Sequence, residues 1–359
     1  MKSISSPSSL YKWITIILIV LLLSAVAFLA WAIYSTRKSP ESYSSVSGVT
    51  SKTAMPGPPE YYCPLDGTPL RSRAATMRRP IMVQVDNAPA ARNQSGLSQA
   101  DIVYEAMAEG DVTRFSAIFD CREAEVIGPV RSARLINISL VPEYQALLSN
   151  SGASAGTTAE LEARPDIHNI NHNNFPDAYW RTDDRFAPHN LMTSTSKIRE
   201  AAAGAGFTDI VSLTPLVFKD DTPAPAVSNI SIPYSGVVQT SYRYDAGTNS
   251  WLRFINGEPH IDTLTGSQIA PKNVIIQYVT ILETDIEEDV GGNRGLEFGL
   301  TGTGQAIIFR DGQAIPVTWS RPALNNMTSY ADAAGNPVPL NRGETFIQLV
   351  QPDFQAGWG

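Results

Sequence analysis

Residues Trp13 to Tyr34 form an uncharged run rich in Ile, Leu, Val and Ala, and this one feature constrains the chain most. At about 1.5 Å per residue, a helix of that length reaches roughly 33 Å, enough for a hydrocarbon core of about 30 Å. Trp13, Trp31 and Tyr34 fall near its ends, where amphipathic rings favour the membrane interface. A buried core helix is the weaker account, because length, position and flanking charge all match a membrane segment. Cleavage as a signal peptide stays open: Ala30-Trp31-Ala32 has the small-x-small pattern, although the apolar run exceeds the roughly 7–15 residues of a signal h-region. The expectation is an uncleaved single-pass anchor in the cell membrane. Lys2 and Lys12 before it are balanced by Arg37 and Lys38 after it. Orientation therefore rests on the short segment 1–12, assigned to the cytoplasm, and the long chain beyond, assigned outside it.

Residues 35–60 are rich in Ser, Pro and Gly without a period and read as a flexible stalk. The whole chain has 27 Lys+Arg against 35 Asp+Glu, a formal net charge of −8, and all four cations of residues 1–38 lie around the membrane segment. The exported part is thus strongly acidic. That excludes general binding to nucleic acid and makes any local cluster of arginines more informative. Cys63 and Cys121 are too few for a Cys-based zinc site by themselves or a dense disulfide scaffold. They either pair or stay as two thiols. Without a Cys directly after the apolar run, a lipid anchor fits poorly.

The rest reads as α+β: a mixed α/β domain over 61–215, followed by a mostly antiparallel β domain over 216–359. Strands are expected at 80–86, 101–107 and 114–119, and helices at 135–148 and 196–203. Short β runs follow at 236–244, 251–255, 273–280, 305–309 and 345–350. Asp245-Ala-Gly247, Asn256-Gly257 and Asp311-Gly312 supply hairpin punctuation between them.

Gly128-Pro-Val-Arg-Ser-Ala-Arg134 places two arginines three apart before an expected helix. If Ser132 caps that helix, its first amides and the forked guanidiniums of Arg131 and Arg134 converge on one anion; otherwise the arginines pair with acids such as Glu105 or Asp101. A second cluster holds His168, His172, Asp177, Asp183, Asp184, Arg185 and Pro188-His-Asn190. His168 and His172 have helical ligand spacing, but the asparagines around them favour a loop, and no metal is expected there. His189 could serve as a base with Ser132 or Cys121 as nucleophile and Asp86 or Asp184 as orienter, yet Ser132 lacks a GxSxG elbow and Cys121 is followed by acids. Asp86, Glu105 and Glu109 are carboxylate candidates for glycoside chemistry. Gly291-Gly-Asn-Arg-Gly295 lacks a phosphate-loop context and reads as a hairpin loop.

Several stretches together carry a family resemblance. They are Cys63-Pro-Leu-Asp-Gly67, Arg79-Pro-Ile-Met-Val-Gln-Val-Asp-Asn87, Arg92 to Glu105, Thr113-Arg-Phe115, Ile127 to Arg134 and Pro188-His-Asn-Leu191. Phe309-Arg-Asp-Gly312, Thr318-Trp-Ser-Arg321, Gly335 and Gly343-Glu-Thr-Phe346 add to them. The chain resembles the bacterial YerB-like lipoproteins, a two-part family of undefined function. The resemblance covers about residues 61 to 352 and implies an envelope protein, with no catalytic assignment and no cofactor. The expected function is a membrane-anchored extracytoplasmic binding or scaffolding module for an anionic envelope ligand, such as a cell-wall polymer, or for an envelope protein. The expected ligand residues are Arg131, Arg134, His189, Asn190, Asp86 and Asn87. The rival is a cell-wall hydrolase or transferase using His189 with Asp86, Glu105 or Ser132.

Overall fold

The computed structural model describes Leu21, residues 23–28 and residues 60–359. The first group is helical. The rest of the expected anchor at 13–34, and residues 1–12 and 35–59, lie outside the described residues. No helix among the described residues is long and apolar enough to cross a membrane.

From Glu60 onward the chain builds one mixed sheet of ten strands. In chain order these are β1 Ile81–Asp86, β2 Ile102–Met107, β3 Thr113–Phe119, β4 Leu147–Asn150, β5 His168–Asn171, β6 Asn273–Tyr278, β7 Gly302–Arg310, β8 Gln313–Arg321, β9 Ser329–Ala331 and β10 Thr345–Val350. Their spatial order is β9-β8-β7-β6-β10-β2-β3-β1-β4-β5. At the centre β10 lies parallel to both β6 and β2. Strands from both halves of the sequence therefore share one sheet, and the expected boundary at 215/216 does not divide it.

Alternation within the strands explains why this sheet sits in the middle of the body. Ile81, Val83, Val85, Val103, Phe115, Val274 and Phe346 point into one core, while Met82, Ile102, Tyr104, Ile118, Ile275 and Ile347 point into the other. The first face is covered by a five-stranded antiparallel sheet, through Ile230, Ile232, Tyr242 and Trp251, and by α3 (Thr195–Gly204) through Ile198 and Ala202. The second face is covered by α1 (Leu135–Tyr144), through Ile136, Leu140, Val141 and Tyr144, and by Leu161 of α2 (Ala155–Glu162). Strands buried on both faces read as continuous apolar runs, which is how 80–86 was legible.

The fold class is α+β with three α-helices among residues 60–359. The expected helix 135–148 is cut short: Gln145 adopts φ 50°, ending α1, and residues 147–150 become β4 instead. Ser132 does not cap it. Arg134 occupies the N-cap position, and its N–H is accepted by Asn137 Oδ1 at 2.9 Å. The hairpin turns form as read: Asn256 and Gly257 take φ 54° and 83°, and Asp311 and Gly312 take 55° and 71°, the left-handed pair a two-residue turn requires. Residues 291–293 lie in the turn of an Ile281–Glu287/Arg294–Phe298 hairpin, and Arg294 and Gly295 open its second strand. Trp251, Trp319, Phe298 and Tyr330 are all buried. Cys63 and Cys121 form a disulfide.

Candidate functional site

β1 ends at Asp86, and two segments converge on that end. The extended stretch 128–131 runs beside it, with Asp86 N–H donating to Pro129 O (2.9 Å) and Arg131 N–H to Gln84 O (2.8 Å). Val130 N–H donates to Leu191 O at 2.6 Å, which brings in the strand following His189. The loop before that strand is tied down by Arg185, whose guanidinium donates to the carbonyls of Ala91 (2.7 Å) and Asn93 (3.2 Å).

The result is a three-residue cluster. The Asp86 side chain is 2 % exposed, yet its Oδ2 lies 2.8 Å from His189 Nδ1 and 3.4 Å from Arg131 Nε. Its Oδ1 accepts the Ala88 N–H at 3.0 Å. A carboxylate on Nδ1 fixes the ring's orientation and leaves Nε2 for a ligand. His189 and Arg131 are partly exposed, at 23 % and 29 %, so both reach solvent from a buried acid. Arg92 and Arg114 also lie within electrostatic range of Asp86. Arg114 is matched by Glu109, so Arg131 is the guanidinium that Asp86 itself holds within ion-pair distance.

The other expected site residues go elsewhere. Arg134 is spent on acids: it forms a forked pair with Glu109, Nε to Oε2 at 2.7 Å, and lies 3.4 Å from Glu288. Arg114 holds Glu109 from the other side at 2.5 Å. Burial alone would raise the Glu109 carboxyl, but the Arg134 hydrogen bonds and both guanidinium charges hold it below its usual range. Burial, and then the neighbouring Arg134 charge, push Arg114 down to about 10. This is the structural pairing weighed for the arginines, with Glu109 and Glu288 as the acids rather than Glu105 or Asp101.

Asn87 turns inward, where its Nδ2 donates to Thr113 Oγ1 (2.7 Å) and Glu105 Oε1 (3.3 Å). Asn190 braces its own loop, accepting from Arg181 (2.7 Å) and donating to Thr182 O (2.9 Å). Ser132 donates its hydroxyl to Ser151 O at 3.2 Å, and no hydrogen bond among the described residues links it to His189. A triad through Ser132 is not assembled. Glu105 is fully buried with Arg253 at 2.8 Å, each at 0 % exposure, and is not brought together with His189. His168 starts the edge strand β5 and stacks on Phe207 at 4.3 Å, and His172 meets the edge of Tyr179; among the described residues neither joins a group of metal donors.

Sequence reasoning did not find the Arg253 cluster. Arg253 sits over the rings of Phe115, Tyr242 and Phe346 at 5.3–5.4 Å and donates to His260 Nδ1 at 3.0 Å. Burial, and next the Arg253 charge, hold His260 well below its usual value, so it stays neutral and passes its other nitrogen to Gln94 Oε1 at 2.5 Å. The signal was present: in Ser250-Trp-Leu-Arg-Phe-Ile255 the inward register is Trp251, Arg253, Ile255, and an arginine at an inward strand position must be paired.

Fold and cluster together define the class: an α+β protein whose single large sheet ends one strand in a His–Asp–Arg site. Within that class the chain belongs to the DUF3048 family. The family model described as "Protein of unknown function (DUF3048) N-terminal domain" matches residues 65–208, and its C-terminal counterpart matches 230–347. The chain is 34 % identical over 301 residues to "Putative lipoprotein YerB" of Bacillus subtilis (strain 168), covering 82 % of this chain and 87 % of the relative. The crystal structure of YerB protein from Bacillus subtilis superposes with TM-score 0.74 at 31 % identity, covering 84 % of this chain and all of that one. The resemblance read from scattered motifs is borne out.

Proposed function

We propose that the chain is a membrane-anchored extracytoplasmic envelope protein whose body binds an anionic ligand at His189 and Arg131. The carrying observation is the buried Asp86 carboxylate, which holds the partly exposed His189 imidazole and Arg131 guanidinium through one oxygen. Anchoring is supported by the apolar run 13–34 and by the relative being described as "Putative lipoprotein YerB". An orientation with residues 60–359 outside the cytoplasm is supported by the relative's description and by the shortness of the segment before the apolar run. A forked guanidinium beside an oriented imidazole favours phosphate or carboxylate oxygens, as carried by anionic cell-wall polymers and peptidoglycan stems.

The test is calorimetry of the full chain in detergent against defined polyol-phosphate and peptidoglycan fragments, with mass spectrometry of the same mixtures. Saturable heat that disappears in Arg131→Ala and His189→Ala supports the reading. New product masses would move the protein to the hydrolase class, and heat unaffected by either substitution would remove the site from the account.

A further inference from the structure

A second cluster, away from His189, surrounds the disulfide. Cys63 and Cys121 are joined where the loop after β3 passes beneath the N-terminal turn, and two buried aspartates face the sulfurs. Asp120 Oδ2 lies 3.5 Å from Cys121 Sγ and 3.9 Å from Cys63 Sγ, and Asp101 Oδ1 lies 3.8 Å from Cys63 Sγ. Disulfide sulfurs carry no proton to donate, so these are contacts rather than hydrogen bonds. Asp120 is fully buried and its Oδ1 has no partner. A buried carboxylate left this way is costly.

Charge points the same way. Asp66, Asp101, Asp120 and Glu344 are buried together, and Arg122 answers them at 2.9 Å from Asp66 and 4.0 Å from Asp101. Arg78 pairs with Glu123 and meets Asp120 at its main-chain oxygen, 2.9 Å from Nε. The buried acids outnumber the cations in contact with them, an imbalance that a dication would offset.

Geometry supplies the rest. Zn²⁺ bound tetrahedrally at about 2.3 Å to sulfur and 2.0–2.2 Å to oxygen sets neighbouring donors roughly 3.6 Å apart; the three sulfur–oxygen separations above are close to that, while the two bonded sulfurs must part, as reduction allows. The sulfurs and an Asp101 oxygen already lie within 4.8 Å of one another. We propose that, once the disulfide is reduced, Cys63, Cys121, Asp101 and Asp120 hold one thiophilic divalent cation of the Zn²⁺ type. Disulfide and metal are then alternative closures of one clasp. Two cysteines were too few for a zinc site when read alone; the fold adds two oxygen donors.

The chemistry balances through a dithiol reductant. It gives two electrons and two protons to the S–S bond and becomes a disulfide itself. The cation then displaces the two thiol protons, and any on the aspartates, to solvent.

The test uses the full chain in detergent, oxidised or reduced under anoxic conditions and freed of reductant, titrated with Co²⁺ and then Zn²⁺. The reduced chain should bind one equivalent of Co²⁺ with a thiolate charge-transfer band that Zn²⁺ bleaches. The oxidised chain should show no band, nor should a Cys63→Ser/Cys121→Ser variant. Asp101→Asn and Asp120→Asn should each weaken the site at least tenfold. Circular dichroism covers the case in which reduction unfolds the body: Zn²⁺ should then restore the fold. No band in a folded reduced chain, an equal response from the oxidised chain, or an unfolded reduced chain that Zn²⁺ does not refold would each overturn the proposal.

Discussion

Asp86 and Asn87 are consecutive, yet they open onto two clusters of opposite kind. Asn87 faces a sealed one, where Glu105, Arg253, His260, Gln94 and Thr113 leave no contact with water. Asp86 faces an open one, where His189 and Arg131 reach solvent. Gln94 touches both, donating to Asp86 O at 2.8 Å while accepting from His260. Acid, imidazole and guanidinium occur in each. What separates them is that every sealed donor has a protein acceptor, whereas the open pair has spare capacity. Residue type alone therefore predicts nothing about role; pairing and burial decide it.

The largest expected break lies in the sealed cluster. Glu105→Ala strands the Arg253 guanidinium in a site with no exposure and should cost about 3–5 kcal/mol, read as a lower urea midpoint with an unchanged slope. Arg134→Ala comes next. It leaves Glu288 without its nearby cation and halves the clamp on Glu109, a loss of about 1–3 kcal/mol, with ligand affinity otherwise retained. That outcome would confirm that only one of the two arginines in the Gly128–Arg134 motif is available to a ligand.

Asp120 sharpens the contrast, being buried like Glu105 but lacking a cation in contact. Burial raises it to about 7 from 3.8. A carboxyl raised on folding stabilises the protein below its unfolded value, and that contribution is lost as pH climbs toward 7. Stability of the oxidised chain should fall by up to roughly 1 kcal/mol per pH unit between about pH 4 and 7, and denaturant titrations of Asp120→Asn should show a flatter slope there. The smallest stability effect belongs to the open cluster: Arg131→Ala should cost about 1 kcal/mol or less, since the pair is part-exposed.

The sequence made the open site partly legible. Asp86 was visible as the polar end of an apolar run, and His189 and Arg131 stood in compact motifs. Their mutual contact was not visible, because it depends on the 128–131 stretch lying between β1 and the strand after His189, a tertiary pairing with no local signature. Arg134 and Glu105 were assigned to the site because a charged residue near a motif looks free until its partner is known, and Glu109, Glu288 and Arg253 come from distant parts of the chain. The fold shows the same limit. Hairpins and core strands were readable from turns and alternation, while the helix read across 135–148 concealed β4, and the joining of both halves into one sheet through β10 is wholly non-local.

The central claim is that Asp86, His189 and Arg131 form a binding site rather than a structural pair. The most direct measurement is calorimetric affinity for a polyol-phosphate fragment alongside denaturant stability, on the full chain and on Arg131→Ala. The account predicts at least a tenfold loss of affinity with stability within about 1 kcal/mol of the parent. Unchanged affinity together with a loss of several kcal/mol in stability would contradict it.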